Sequence, residues 1–163
     1  MIFVVGGDLA SAAADAVVRP ATTTLDLIDP ALRTLDAAAG PRFAEQRRLR
    51  QQLAPGAAVV TGAGDLAAEF VVHAVLGMSA ETVTPDAVSK AVAAALWQCT
   101  QWHITTLACP AVGAPALTTA ESAAVILPII REHMRNADHP TTVLVILSDP
   151  QDQETFTARL GQG

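Results

Sequence analysis

Cysteine is scarce in this chain. Cys99 and Cys109 allow at most one bridge, and no CxxC pair is present to hold zinc or run dithiol exchange. A reduced, cytoplasmic setting is expected. Positive charge is also scarce: 10 Lys+Arg against 16 Asp+Glu leave a net charge of −6, which argues against the phosphate-backbone footprint of a nucleic-acid binder. A small anionic ligand held by backbone amides stays open. The longest apolar run at the N-terminus, residues 1–5, lacks a basic flank and is too short for a signal peptide or a membrane span. An unprocessed protein away from membranes is expected. His103, His133 and His139 lack the spacing of a ligand set, so neither a metal nor a cofactor is expected.

What the chain does have is apolar material. Hydrophobic residues make up 51% and charged residues only 16% of the 163 positions, and the mean hydropathy is +0.36. That is enough apolar surface to offset the backbone entropy of folding, so disorder is excluded. The length fits one domain over residues 1–163, at the usual ~100–200 residues per domain.

Apolar runs alternate with alanine-rich helical patterns along nearly the whole chain, without repeats or long linkers. This is the pattern of an α/β domain built around one sheet. Strands are predicted at residues 3–5, 16–19, 57–61, 70–76, 104–109 and 143–147. Several are continuous Val/Ile/Leu runs, which places helices on both faces and implies a three-layer α/β/α sandwich. The segment 104–109 should be central, because no charge occurs between His103 and Pro115.

Four helix starts are legible. Asp29-Pro30, Thr84-Pro85 and Asp149-Pro150 each place a side-chain acceptor before a proline whose missing N–H costs nothing there, and Thr118 with Glu121 reads as a capping box. Leu32, Leu35 and Ala39 share one helical face, as do Val88, Val92, Leu96 and Cys99, and as do Ala123, Leu127, Ile130 and Met134. Pro128 should kink the last of these helices.

Ligands of such sheets bind outside the carboxyl ends of the strands. Loops with glycine beside small residues occur at Gly6-Gly7-Asp8, Gly62-Ala63-Gly64 and Val112-Gly113-Ala114, and none fits the Walker pattern or GxGxxG.

Gly7-Asp8-Leu9 followed by Asp15-Ala16-Val17-Val18-Arg19-Pro20-Ala21-Thr22 resembles the opening of the macro-domain family, in which GDI is followed by DAIVNAAN. Ala38-Ala39-Gly40-Pro41 is similar to that family's AAGP helix ending. Gly56 with Ala58 to Gly62, Leu66 and Val71-Val72-His73-Ala74-Val75 resembles its next two strands. Ala108-Cys109-Pro110-Ala111-Val112 resembles its A-F-P-A-I strand end, and residues 143–149 its last strand.

The resemblance implies a mixed six-stranded sheet and a cleft for ADP-ribose or a related adenine nucleotide. It places Asp8 at the aspartate that bonds the adenine amino group. Thr22 falls where an asparagine contacts the distal ribose, and Arg19 replaces the other asparagine of that motif. The implied ligand set is Asp8, Leu9, Thr22, Val112, Gly113, Ala114 and Ser148, with no catalytic residue. The loop after Thr22, residues 23–29, contains none of the family's glycines and carries Leu25, Leu27 and Ile28, which would fill the cleft or change its shape. The second phosphate loop is shortened to Gly113-Ala114-Pro115-Ala116, and Ser148 replaces an aromatic that would stack on adenine.

Each candidate also has a plainer reading. Asp8 serves equally as an adenine acceptor or as the acceptor of the turn after Gly6-Gly7. Asp29 could match a hydrolase acid, but capping before Pro30 is the stronger reading. Cys109 has only apolar neighbours in sequence and reads as a buried structural thiol, and His73 reads as a satisfied interior histidine. Arg42, Arg47, Arg48 and Arg50 suggest a solvated helix face, or else a dock for an acidic partner. The expected function is a small-molecule binding module with weak or altered specificity. A scaffold for interaction or assembly is the alternative, and an ADP-ribosyl hydrolase ranks last, because the positioning asparagines and glycines are missing. A homo-oligomer is compatible with either reading.

Overall fold

The computed structural model describes residues 1–163. Six strands, β1 (Ile2–Gly6), β2 (Ala16–Thr22), β3 (Ala58–Gly62), β4 (Phe70–Gly77), β5 (Thr106–Cys109) and β6 (Thr142–Leu147), form one sheet in the order β1-β6-β5-β2-β4-β3. Every neighbouring pair is parallel except β3 with β4, so the sheet is mixed and β5 is interior, as expected. The helices are α1 (Arg33–Ala39), α2 (Pro41–Gln46), α3 (Pro85–Gln101), α4 (Thr119–Asn136) and α5 (Pro150–Gly161). None is long and apolar enough to cross a membrane.

Side-chain alternation along the strands sorts the core into two layers. Ala16, Val18, Val72, Ala74, Val143 and Val145 face α3, α4 and Phe156 of α5. On the other face Val17, Ala108 and Ile146 meet Leu9 and Leu35, and Val71 meets Ala39 and Phe43. Helices therefore cover both faces, and the continuous apolar strand runs follow from that.

The predicted caps hold. Thr84 accepts from the Ala87 amide, Asp149 from the Gln151 amide, and Thr118 with Glu121 closes a capping box. Asp29 caps a short 3-10 turn, Pro30–Leu32, that precedes α1. Pro128 does not end α4, which continues to Asn136.

Two strand boundaries differ from expectation by more than one residue. β2 runs through Pro20 to Thr22, because its pairing with β5 stops at Val17 and the missing donor of Pro20 leaves no ladder bond unmade on that side. β5 begins at Thr106, since His103 takes a φ of 52° and the Ile104 amide closes α3 onto the Cys99 carbonyl.

The least expected feature is Arg19. It lies in the middle of β2, fully buried. Its Nε and Nη2 donate to the two Asp36 oxygens at 2.7 and 2.8 Å, and Nη1 donates to the Leu25 carbonyl at 2.8 Å. The guanidinium also lies 5.5 Å from the Phe43 ring centroid. A buried cation left without its counter-charge is costly. Asp36→Ala should therefore destabilise the fold by about 3–5 kcal/mol, and adding Arg19→Met should recover part of the loss. Urea denaturation of the single and double variants is the check, and a loss below about 1 kcal/mol in Asp36→Ala would show that the pair carries no structural weight.

Candidate functional site

Because β1, β6, β5 and β2 are parallel, their carboxyl ends share one edge of the sheet. A cleft of about 570 Å³ opens there, within the usual range of small-molecule sites. Its walls come from the turn after β1 (Gly7, Asp8, Leu9), the segment leading into α1 (Asp29, Ala31, Leu32, Thr34), the end of β5 (Pro110, Ala111), and the starts of α4 and α5 (Thr119, Asp152), with Ile146 to Ser148 behind.

Of the two roles foreseen for Asp8, the structure shows the turn-capping one and leaves an oxygen free. One carboxylate oxygen accepts from the Ala10 amide at 3.1 Å and caps the turn Leu9–Ser11. The other has no partner in the chain and is exposed at the cleft. Leu9, Ala114 and Ser148 also line the cleft.

Thr22, Val112 and Gly113 do not line it. The Thr22 hydroxyl is held within its own turn, accepting from the Asp26 amide at 3.1 Å, while the Thr22 amide donates to the Asp26 carbonyl at 2.9 Å. Val112 is fully buried and its carbonyl accepts from Ser122 Oγ at 2.6 Å. Gly113 takes a φ of 110°, and a Cβ there would meet Leu117 at 2.7 Å, so this loop is folded against its own core residue.

The loop 23–29 is packed shut. Leu25, at φ 61°, is fully buried with Ala21 and Val75, and Ile28 joins the main core. Neither lines the cleft, so these residues do not fill it, and of this loop only Asp29 stands in its wall. Arg19 likewise points away from the cleft, into the buried network.

Beneath that loop one arginine of the cluster departs from a solvated face. The α2 helix ends at Gln46, and Arg47 turns inward to donate to the Leu25 carbonyl at 3.0 Å. It too lies over Phe43, at 5.6 Å. Of the cluster read from sequence, Arg42, Arg48 and Arg50 remain exposed.

His73 is an interior histidine with both nitrogens engaged. Arg19 Nη1 lies 3.3 Å from Nδ1, which fixes that nitrogen as the acceptor. Nε2–H then donates to Thr61 Oγ1 at 2.8 Å, and the Thr61 hydroxyl donates to the Gly62 carbonyl. Burial, reinforced by the charges of Arg19 and Arg47, holds the His73 pKa down to about 3.

Cys109 is buried too, its thiol donating to the Pro110 carbonyl at 3.3 Å. Burial pushes its pKa up to about 12, with Cys99 adding to the effect, so it supplies no thiolate. Burial also raises the Asp29 carboxyl above its ordinary value, against the lowering effect of its bond from the Ala31 amide. Asp152, which the sequence reading missed, accepts from Thr119 Oγ1 at 2.8 Å and ties the starts of α4 and α5 together at the cleft wall. Only its place in the first turn after a proline cap could have flagged it.

Residues 18–125 match the family model described as Macro domain. A macro domain-containing protein of Caldanaerobacter subterraneus subsp. tengcongensis, TTE0995, is 24% identical over 96% of this chain and 93% of its own length. Among solved structures, a variant of the Oceanobacillus iheyensis macrodomain with ADPR superimposes at a TM-score of 0.86, with 19% identity over 98% of this chain and 91% of that one. The Trypanosoma brucei macrodomain in complex with ADP-ribose gives 0.84, with 16% identity over 99% of this chain and 69% of that one.

The neutral, engaged state of His73 has a measurable consequence. The unfolded histidine titrates near 6.5 and the folded one near 3, so between these values the unfolded chain holds the extra proton. Stability should fall as pH drops below 6.5, by about 1.4 kcal/mol per unit once the unfolded histidine is fully protonated. In His73→Gln the slope between pH 6.5 and 5 should flatten. Denaturant titrations across that window test this, and an unchanged slope in the variant would show that His73 is not its source.

Proposed function

The chain belongs to the macro-domain family, and on that premise we propose that its cleft binds ADP-ribose or a related adenine nucleotide with altered specificity, in one domain over residues 1–163. Asp8 receives the adenine amino group on its free oxygen, while Leu9, Ala114 and Ser148 supply wall. Thr22, Val112 and Gly113 act from behind, by shaping the loops that bound the site.

The observation that carries this reading is the half-engaged carboxylate of Asp8. One oxygen is fixed by the Ala10 amide, which orients the group. The other is left to accept from an exocyclic amine, a contact that separates adenine from hypoxanthine. The structural neighbours with ADPR and ADP-ribose support the ligand class. Altered specificity is supported by the loop 23–29, which is pinned by Leu25 and the Thr22 turn in place of glycines that would let amides approach a pyrophosphate. That same closure favours the second reading, a scaffold that has kept the sheet and lost the ligand.

Removing a charge-assisted hydrogen bond costs ~1.5–3 kcal/mol, or about 10- to 100-fold in affinity. Asp8→Ala should weaken ADP binding by that factor and erase the preference for ADP over inosine diphosphate, with a melting temperature lowered by only a few degrees. Calorimetric titration decides. Equal affinity in variant and parent would return Asp8 to a capping role, and no detectable binding by either would leave the scaffold reading standing.

A further inference from the structure

The two edges of the sheet are finished differently. On β3 the pairing with β4 leaves the Ala58 and Gly62 carbonyls pointing outward, and side chains meet both: Gln98 Nε2 donates to Ala58 at 3.1 Å and Thr61 Oγ1 to Gly62 at 2.9 Å. β1 pairs with β6 alone and has no such cover. The Val143 amide donates to the Met1 carbonyl at 2.9 Å and the Gly7 amide to the Leu147 carbonyl at 3.2 Å, so residues of odd number turn their backbone groups to β6. Alternation then points the amides and carbonyls of Ile2, Val4 and Gly6 outward, where no strand or side chain bonds them.

Such an edge is a template for another strand, and proteins guard against it with charge, proline or a bulge. β1 has none of these. Residues 1–7 carry no charged side chain and no proline, and the register with β6 runs unbroken from Ile2 to Gly6. On the face turned away from α5, Phe3 and Val5 are 43% and 37% exposed beside the half-buried Leu144.

We propose that β1 pairs antiparallel with β1 of a second copy of this chain, on a two-fold axis through Val4. In that register Val4 faces Val4 and Ile2 faces Gly6, so every outward group finds a partner, each pair exchanging both main-chain bonds. Phe3 of one copy faces Val5 of the other at the closer, non-hydrogen-bonded positions, and the axis repeats the contact. One register thus satisfies the backbone and covers the exposed apolar residues.

The charges agree with it. Arg131 and Arg135 share a hollow with Ile2 at one end of the strand, and the exposed Glu154 follows Gln153, whose side chain stands over Gly6 at the other end. An antiparallel pair sets each basic end against the partner's acidic end, which favours a second copy over an unrelated strand. The helices above the axis have room as well. α5 lies over β1, Asp152 turns one flank of it to Thr119 of α4, and the opposite flank carries the short Thr157 and Gly161, both exposed. The two clefts then open at opposite ends of the joined sheet, so neither copy adds residues to the other's ligand site.

Sedimentation equilibrium of the full chain over a concentration series tests this. The expected species has twice the 16.9 kDa chain mass, and the Ile2, Val4 and Gly6 amides should gain hydrogen-exchange protection as concentration rises. Phe3→Lys, at an exposed position, should weaken the dimer at least about tenfold with the urea midpoint unchanged. Val4→Pro removes a donor that β6 does not use, and should weaken the dimer too. Because the register sets position 3 against position 5, an equimolar mixture of Phe3→Lys and Val5→Glu chains should recover the affinity that each lost alone. A chain that stays monomeric up to about 1 mM overturns the proposal and leaves the edge to a strand of another protein. A dimer indifferent to Phe3→Lys, or one that the mixture fails to restore, overturns it as well, by placing the interface or the register elsewhere.

Discussion

A guanidinium buried in the centre of a β-sheet must be satisfied on every side, and much of this molecule is arranged around that demand. Arg19 meets both oxygens of Asp36 on α1, the Leu25 carbonyl, His73 on β4 and the face of Phe43 on α2. No one of these partners would suffice, since the desolvation of a full charge amounts to several kcal/mol. Together they fix two helices, a loop and the neighbouring strand relative to one residue of β2. His73 must stay neutral to accept from the arginine, and burial beside two cations keeps it so. Phe43 serves both guanidiniums and stacks on the imidazole at 5.7 Å, so an apolar ring completes a polar cluster.

The same network holds the loop that ends at the cleft residue Asp29. The Leu25 carbonyl accepts from both Arg19 and Arg47, and this holds Leu25 in a left-handed conformation that costs about 1–2 kcal/mol for a residue with a Cβ. With its carbonyl aimed at two cations and its side chain in a small core, Leu25 anchors the loop 23–29. The cleft around Asp8 is bounded instead by turns capped by their own side chains.

How far the sequence revealed this depends on the range of the interaction. Caps were legible because the acceptor and its amide lie two or three residues apart, as in Asp149 to Gln151 and Thr118 to Glu121. Strands were legible because burial on both faces leaves continuous Val/Ile/Leu runs, and β2 was cut short only because Pro20 reads as a breaker until its unpaired side is known. The role of Arg19 was not legible, since its partners are 17 and 54 residues away and a lone arginine in an apolar run carries no sign of them. Thr22 was misleading for a related reason. Its position in the motif suggested reach toward a ligand, but Asp26 four residues on offers its hydroxyl a nearer amide. Asp8 was legible as two alternatives, and because a carboxylate has two oxygens, the structure accommodates both.

That last point extends to the whole cleft edge. A helix start has amides to satisfy, and a side-chain cap or a bound anion can do it, the two competing for the same donors. A carboxylate cap stabilises its helix by about 0.5–2 kcal/mol whether or not ligand is present, and it places a negative charge where the anion would sit. Asp8, Asp29 and Asp149 each make that choice here. The stability of these turns and the engagement of a first-turn amide in each therefore have one cause, and the oxygen that Asp8 keeps free lies at the cleft beside them.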